Sequence, residues 1–462
     1  MVRPEEESDV WRILLFGRCG EELLLLRTPS GFRLPELRIP RCQRVAPNLN
    51  AEAKRLWNLD TVCLLPLEIS RGDLAVGGSA YYVMEVCGSQ ELVRVAPDFV
   101  QMSALKEDSF ADLRDYLAIR QEMEPRTAGL AEDHRGPFSG FGAFEKISAW
   151  VEEQLLPLGL RLDGSFRQLL AAGSFALIRF DTDRGAVWFK AVGEPNLREF
   201  AITVALTARL PGFLPELLAA RPDWNAWLVN EVEGQDLCAT SDPAAWCRAA
   251  TSLANLQTSS IPDVSHILAA GARDVRSQRL LDVARPFFSA MGEIMEAQTK
   301  ATPRKLGRQE IRTVQDQVVE VLYRLCDAGI PDTLNHLDLN PGNVIVSTSK
   351  CLFLDWAEGA VGNPFFSMEY LRQHFLQAFP GQQEAELDFR KSYLNHWTAV
   401  ADKTAEDLSR FAPLAAVFAF AASALPWDDP KRGQRQEFAG YLRSLVRRMH
   451  RESEQIRASR AA

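Results

Sequence analysis

Positive charge is scarce in this chain: 52 Lys and Arg stand against 61 Asp and Glu, a net charge of −9 over 462 residues. A broad phosphate-backbone footprint needs a concentrated excess of basic residues, so nucleic-acid binding is not expected. The tail "RSLVRRMHRESEQIRASR" is the local exception, and its mixed charges fit the solvated face of a last helix. Eight cysteines are scattered with no C-x-x-C pair, which excludes the usual zinc and dithiol spacings. The opening "MVRPEEESDVW" is acidic where a secretory signal would be basic and then apolar, so a cytoplasmic chain with reduced thiols is expected. Long apolar runs are also few. The longest, "FAPLAAVFAFAASALPW" from Phe411 to Trp427, falls short of the ~20 residues of a membrane span and carries Pro413 and Pro426. A buried helix, with no membrane association, is expected there.

Phosphate-binding signatures are missing as well. There is no G-x-G-x-x-G, no Walker A sequence, no D-F-G and no A-P-E, so neither a P-loop nor the full set of a protein kinase with an activation loop is present.

Apolar residues make up 47% and charged residues 24%, ordinary values for a globular chain. Single cores stop growing near ~250 to 300 residues, so several domains are expected. Residues 1–105 read as a β-rich N-terminal domain: "WRILLFG" and "EELLLLR" flank the turn "RCG", and "SAYYVMEV" follows. Residues 106–142 read as a linker ending in "AEDHRGPFSGFG". An amphipathic helix then opens a second unit, with Phe144, Ile147, Trp150, Val151 and Leu155 on one face. "RQLLAAGSFALIRF" and "AVWFKAV", separated by "DTDRG", read as an antiparallel hairpin, and "AWLVNEV" adds a strand. From about Cys238 the signals are mainly helical.

The chemistry concentrates in "LNHLDLNPGNVIV", residues 334–346. Asp338 lies two residues after His336 and five before Asn343, and an apolar strand begins immediately afterwards. A second strand, "CLFLD", ends in Asp355, so a hairpin would bring Asp338, Asn343 and Asp355 to one end. Two carboxylates and an amide supply hard oxygen ligands for Mg²⁺ and leave one carboxylate to accept a proton. The spacing matches the kinase catalytic pattern of base, metal-binding Asn and later metal-binding Asp. The plainer alternative is a capped turn in which Asp338 and Asn343 bond only to backbone.

The stretch "HLDLNPGNVIV...LFLDWAEGAVGNPFFSMEYL" resembles the aminoglycoside phosphotransferase family, small-molecule kinases with a protein-kinase-like fold, over residues 143–462. The resemblance implies an α+β, bilobal chain: a β-rich N-lobe over 143–236 and a helical C-lobe over 237–462, preceded by the small N-terminal domain. It implies that Asp338 is the catalytic base, that His336 braces the loop, and that Asn343 and Asp355 bind Mg²⁺. It further implies Lys190 on the ATP phosphates with Glu199 orienting it, and backbone from Glu231 or Val232 against adenine. Gly173 and Ser174 would let backbone N–H groups approach phosphate, an ordinary strand kink being the alternative.

Two positions depart from the family. Gln257 stands where a His is usual, and Leu337 replaces the small residue common before the base. The implied reaction is transfer of the ATP γ-phosphate to a hydroxyl or amine of a small molecule. A catalytically silent kinase-fold binding module is the alternative from another class. At the N-terminus, "WRILLFGRCGEELLLLRTPSGFRLPE" resembles the opening strands of a Nudix fold, yet "NAEAKRLWNLD" holds only Glu52 where a glutamate-rich metal box belongs. That resemblance implies a non-hydrolytic domain for substrate selection, packing or partner binding, with Nudix-type hydrolysis as the remaining alternative.

Overall fold

A computed structural model describes residues 8–67 (save 21, 30 and 42), 80–87, 98–101, 140–193 (save 173 and 174), 195–397, 408–425, 427–428 and 436–461. Most of the expected linker, together with Gly173 and Ser174, lies outside these residues. The chain forms two compact units, one of residues 1–200 and 217–231, the other of 201–216 and 232–462.

In the first unit, β1 (Ser8–Phe16), β2 (Leu23–Thr28), β3 (Gly31–Arg33), β4 (Glu36–Pro40), β5 (Thr61–Leu67), β6 (Ala80–Val86) and β7 (Phe99–Gln101) form one sheet, with β1 parallel to β6 and the other pairs antiparallel. The run "ILLF" in β1 is buried on both faces, which is why it reads as continuously apolar. Ile13 and Leu15 pack with Leu49 and Ala53 of helix α1 (Val45–Trp57), while Leu14 and Phe16 face Phe141, Phe144 and Phe166.

The second sheet of this unit is antiparallel and five-stranded: β8 (Leu162–Ala172), β9 (Phe175–Thr182), β10 (Gly185–Ala191), β11 (Leu217–Arg221) and β12 (Ala226–Asn230), in the order β11-β12-β10-β9-β8. β9 alternates strictly between half-buried and buried residues, as a strand with one core face should. The expected hairpin over "DTDRG" forms, with Thr182 opposite Gly185 and Gly185 at φ 124°. "RQLLAAGSFALIRF" differs from its reading as one strand: Ala172 pairs with Phe175, so it folds back as β8 and β9. Ile147, Trp150, Val151 and Leu155 of α2 (Ala143–Leu155) are buried against this sheet, the face its periodicity marked.

The second unit, which is mainly helical, takes in helix α3 (Arg198–Arg209) from Ala201 onward. It contains α4 (Pro243–Ser260), α5 (Val264–Ala269), α6 (Ser277–Glu296), α7 (Arg308–Cys326), α8 (Phe365–Ala378), α9 (Gln383–Leu394), α10 (Ala412–Ala424) and α11 (Gln436–Ala461). α10 carries most of the apolar run and buries Leu414, Val417 and Phe418 among α6, α7 and α11. Among the described residues no helix is long and apolar enough to cross a membrane. Two small sheets sit between these helices: β13 (Gln235–Asp236), β16 (Val344–Val346) and β17 (Cys351–Phe353) form one, and β14 (Arg273–Val275), β18 (Gly359–Gly362) and β15 (Thr333–His336) the other. Where β14 runs parallel to β18, a Cβ on Gly362 would lie 2.5 Å from the Val275 carbonyl oxygen, so that position admits only glycine. The α+β class implied by the resemblance is observed.

Candidate active site

The polar turn is anchored from both sides. β15 is fully buried and pairs with β18 from Thr333 opposite Gly362 to His336 opposite Gly359. Asn335 fills its hydrogen-bonding capacity here: Nδ2 donates to the carbonyls of Thr333 (3.2 Å) and Gly362 (3.0 Å), and Oδ1 accepts from the N–H and hydroxyl of Ser367 (3.2 and 2.8 Å). Ser367 Oγ in turn accepts from the His336 N–H at 2.8 Å. Leu337, the departure before the base, is buried, and its N–H donates to the Glu358 carbonyl at 3.1 Å.

His336 is 1% exposed and points inward. Its Nε2 donates to the Leu354 carbonyl at 2.9 Å and its ring lies 4.8 Å from that of Trp356. Burial pushes the imidazole pKa below its usual value; the Leu354 carbonyl and the nearby Asp355, Asp338 and Glu358 oppose that shift. His336 therefore joins the base-bearing turn to the strand that leads into Asp355, and its imidazole is neutral with the proton on Nε2.

After His336 the chain turns. Asn340 caps a single helical turn (Pro341–Asn343) by accepting from the Gly342 N–H at 3.0 Å, with Pro341 at the first position, where its missing N–H costs nothing. Asn343 Nδ2 donates to the Asp338 carbonyl at 3.1 Å, and the Asn343 carbonyl accepts from the Leu354 N–H at 2.8 Å. Backbone pairing of Val344 with Phe353 continues the hairpin, so Asn343 and Asp355 flank its open end. Asp355 adopts the left-handed region at φ 61°, ψ 67°, which costs about 1 to 2 kcal/mol in a residue other than glycine. Strain of this kind persists where the surroundings over-determine it.

The turn is thus partly a capped turn, as the plainer alternative held, but the caps use Asn340 and the Asn343 amide nitrogen. With Nδ2 donating to the Asp338 backbone, the amide oxygen is the acceptor that the Asn343 side chain has to offer. An amide oxygen and a carboxylate are by their chemistry donors of the hard kind that Mg²⁺ takes. Asp338 itself is half-buried, and its Oδ1 accepts from the Tyr370 hydroxyl at 2.8 Å.

In the first unit, Lys190 lies next to the end of β10, opposite Leu177 and Trp227, and its ammonium group sits 5.6 Å over the Trp227 ring. It pairs with Glu199 in the first turn of α3, whose carboxylate is almost wholly buried. A buried carboxylate persists only with a partner, and a half-buried strand lysine is a suitable one. Glu231 closes the same unit. Its carboxylate is gripped by Arg179 at 2.6 and 2.9 Å, which holds its pKa below the usual value, and its N–H donates to the Ala186 carbonyl at 3.0 Å. Val232 begins the second unit.

Several supporting residues carry no local signal. Gln257 is fully buried, donates to the Pro364 carbonyl at 2.9 Å and accepts from the Tyr393 hydroxyl at 2.7 Å, so it pins the segment just before α8. Tyr370 and Ser367 are also on or beside this segment and reach Asp338 and His336 across about thirty residues of sequence. The only sequence hint is the spacing of Tyr370 and His374, one helical turn apart after "GNPFFS".

No family model matches this chain, and no curated protein matches it. Among solved structures it is similar to choline kinase LicA from Streptococcus pneumoniae, at 16% identity and a TM-score of 0.43, over 67% of this chain and 99% of that one. It is similar to an ethanolamine kinase of Plasmodium vivax at 13% identity and a TM-score of 0.42, over 62% of this chain and 82% of the other. A spectinomycin phosphotransferase in complex with ADP and spectinomycin matches at 14% identity and a TM-score of 0.41, over 66% and 98%. At these values the likeness transfers no residue roles. The Nudix-like resemblance gains no support: no family model matches, and half-buried Glu52 is tied to Arg55 at 2.7 Å.

Proposed function

We propose that this chain is an ATP-dependent phosphotransferase that moves the γ-phosphate to a hydroxyl, or an amine, of a small molecule. The observation that carries the reading is the turn from His336 to Asp355. It holds a carboxylate, an amide oxygen and a second carboxylate around one hairpin end, with two backbone-directed hydrogen bonds fixing their order.

Asp338 takes the acceptor proton as the acceptor atom attacks the γ-phosphorus and the bond from that phosphorus to the β,γ-bridging oxygen breaks, releasing ADP; Asn343 and Asp355 would hold Mg²⁺. A bound Mg²⁺ supplies neutralisation of charge on the phosphoryl oxygens. Lys190, held by Glu199, binds nucleotide phosphate, and His336 acts through the loop it braces. Positioning and electrostatics supply the rate, with no covalent intermediate on the protein.

The test is turnover by Asp338→Ala with a responsive acceptor. Loss of a general base lowers kcat by roughly 10² to 10⁴-fold while ATP affinity is retained. Unchanged turnover refutes the assignment.

A further inference from the structure

We infer that Tyr370 is a positioning residue for Asp338: its hydroxyl, 2.8 Å from Oδ1, fixes the carboxylate so that Oδ2 is the oxygen that receives the acceptor proton. This rests on the reading of Asp338 as base. An aspartate on a turn has two side-chain torsions to settle, and the backbone bonds from Asn340 and Asn343 restrain only its carbonyl. Without a side-chain donor the carboxylate would rotate freely among its rotamers, and misplacement of about 1 Å is worth around a hundredfold in rate.

Tyr370 is itself built to be rigid. It sits in α8 next to Glu369, whose deeply buried carboxylate is held by Gln373 and by Arg372 at 3.2 Å. Arg372 is fixed from the far side by Glu386 of α9 at 2.7 and 2.9 Å. One turn further on, the His374 ring lies 5.3 Å from the Tyr370 ring and limits its swing. Burial and the adjacent Asp338 charge both push the Tyr370 pKa up, so the hydroxyl keeps its proton and stays a donor. A phenol that carries its only titratable group onto one oxygen of Asp338, from a helix whose neighbouring residues are pinned by ionic bonds, fixes a carboxylate that water would serve in no single orientation.

The experiment compares the unaltered chain, Tyr370→Phe, and a chain with para-aminophenylalanine at 370, which restores a donor on the same ring. The expected result is a kcat about tenfold to a hundredfold lower in Tyr370→Phe, with the KM for ATP unchanged and the amine analogue recovering most of the loss. Equal kcat in Tyr370→Phe, or no recovery by the donor-bearing analogue, overturns the proposal. Crystal structures of the unaltered chain and Tyr370→Phe provide a readout independent of turnover. The Asp338 carboxylate is expected in one rotamer in the first and in another, or spread over several, in the second; the same single rotamer in both also overturns it. If the unaltered chain transfers no phosphate, the functional reading fails and the rotamer comparison still judges Tyr370.

Discussion

The carboxamide of Gln168 holds both backbone polar groups of Cys63: Nε2 donates to the Cys63 carbonyl and Oε1 accepts from its N–H, each at 2.8 Å. Asn50 of α1 donates to the same oxygen at 3.0 Å. A side chain of β8 thus completes hydrogen bonding on β5, and the N-terminal sheet and the five-stranded sheet share one unit. Gln168→Leu leaves a buried N–H and carbonyl unpaired, at ~1 to 3 kcal/mol for each such group, so the expected destabilisation is about 2 to 6 kcal/mol. Urea unfolding measures it; an unchanged midpoint contradicts the role.

Removal of Lys190 takes an ion-pair partner from the buried Glu199 carboxylate. Breaking a buried pair from one side costs ~3 to 5 kcal/mol, whereas replacing both members by apolar residues is often neutral. Lys190→Met is expected to lose about that much stability, and Lys190→Met with Glu199→Leu to regain most of it. ATP binding by calorimetry is expected to be weak in both. Full ATP affinity in the double variant would remove Lys190 from the nucleotide site.

These two pairs differ in how legible they were. Lys190 ends an apolar strand and Glu199 opens a helix nine residues later, so local patterns bring both into view. Gln168 and Cys63 are 105 residues apart, and neither has a periodicity that names the other. The same contrast runs through the site. The His336, Asp338, Asn343 and Asp355 spacing is readable because one turn and one hairpin join them. Tyr370 reaches Asp338 only through the packing of α8, and Gln257 reaches Pro364 across 107 residues. Elements with a period, such as α2 and the β9–β10 hairpin, were readable; the fold-back at Ala172 was not, because an apolar run looks alike whether it continues or reverses.

Asp355→Asn separates strain from chemistry. Asn tolerates the left-handed region as well as Asp does, so stability is expected to change by less than about 1 kcal/mol. Loss of the carboxylate is expected to abolish the enhancement of ATP binding by Mg²⁺. Titration calorimetry with and without Mg²⁺ decides it, and an unchanged enhancement contradicts the metal role.

His336 sets a pH dependence with a definite sign. Its folded pKa lies below its usual value of 6.5, so the unfolded chain binds the proton more readily. The contribution of His336 is fully present above about pH 6.5 and is lost as pH falls from there toward the folded pKa. Half-buried His374, also shifted down by burial, adds in the same direction. Urea midpoints between pH 8 and 5 are expected to fall on acidification, with a shallower slope in His336→Gln, whose amide keeps a donor for Leu354. An equal slope in the variant would place the imidazole outside this balance.

The central claim is transfer chemistry at Asp338. The most direct measurement is the movement of labelled γ-phosphate from Mg·ATP into the small-molecule fraction of a cell extract, with the unaltered chain and Asp338→Ala side by side. The account predicts a labelled small molecule with the unaltered chain and none with the variant. Equal label in both would contradict Asp338 as base. ATP binding without label from either chain would contradict the transferase reading and favour a nucleotide-binding module.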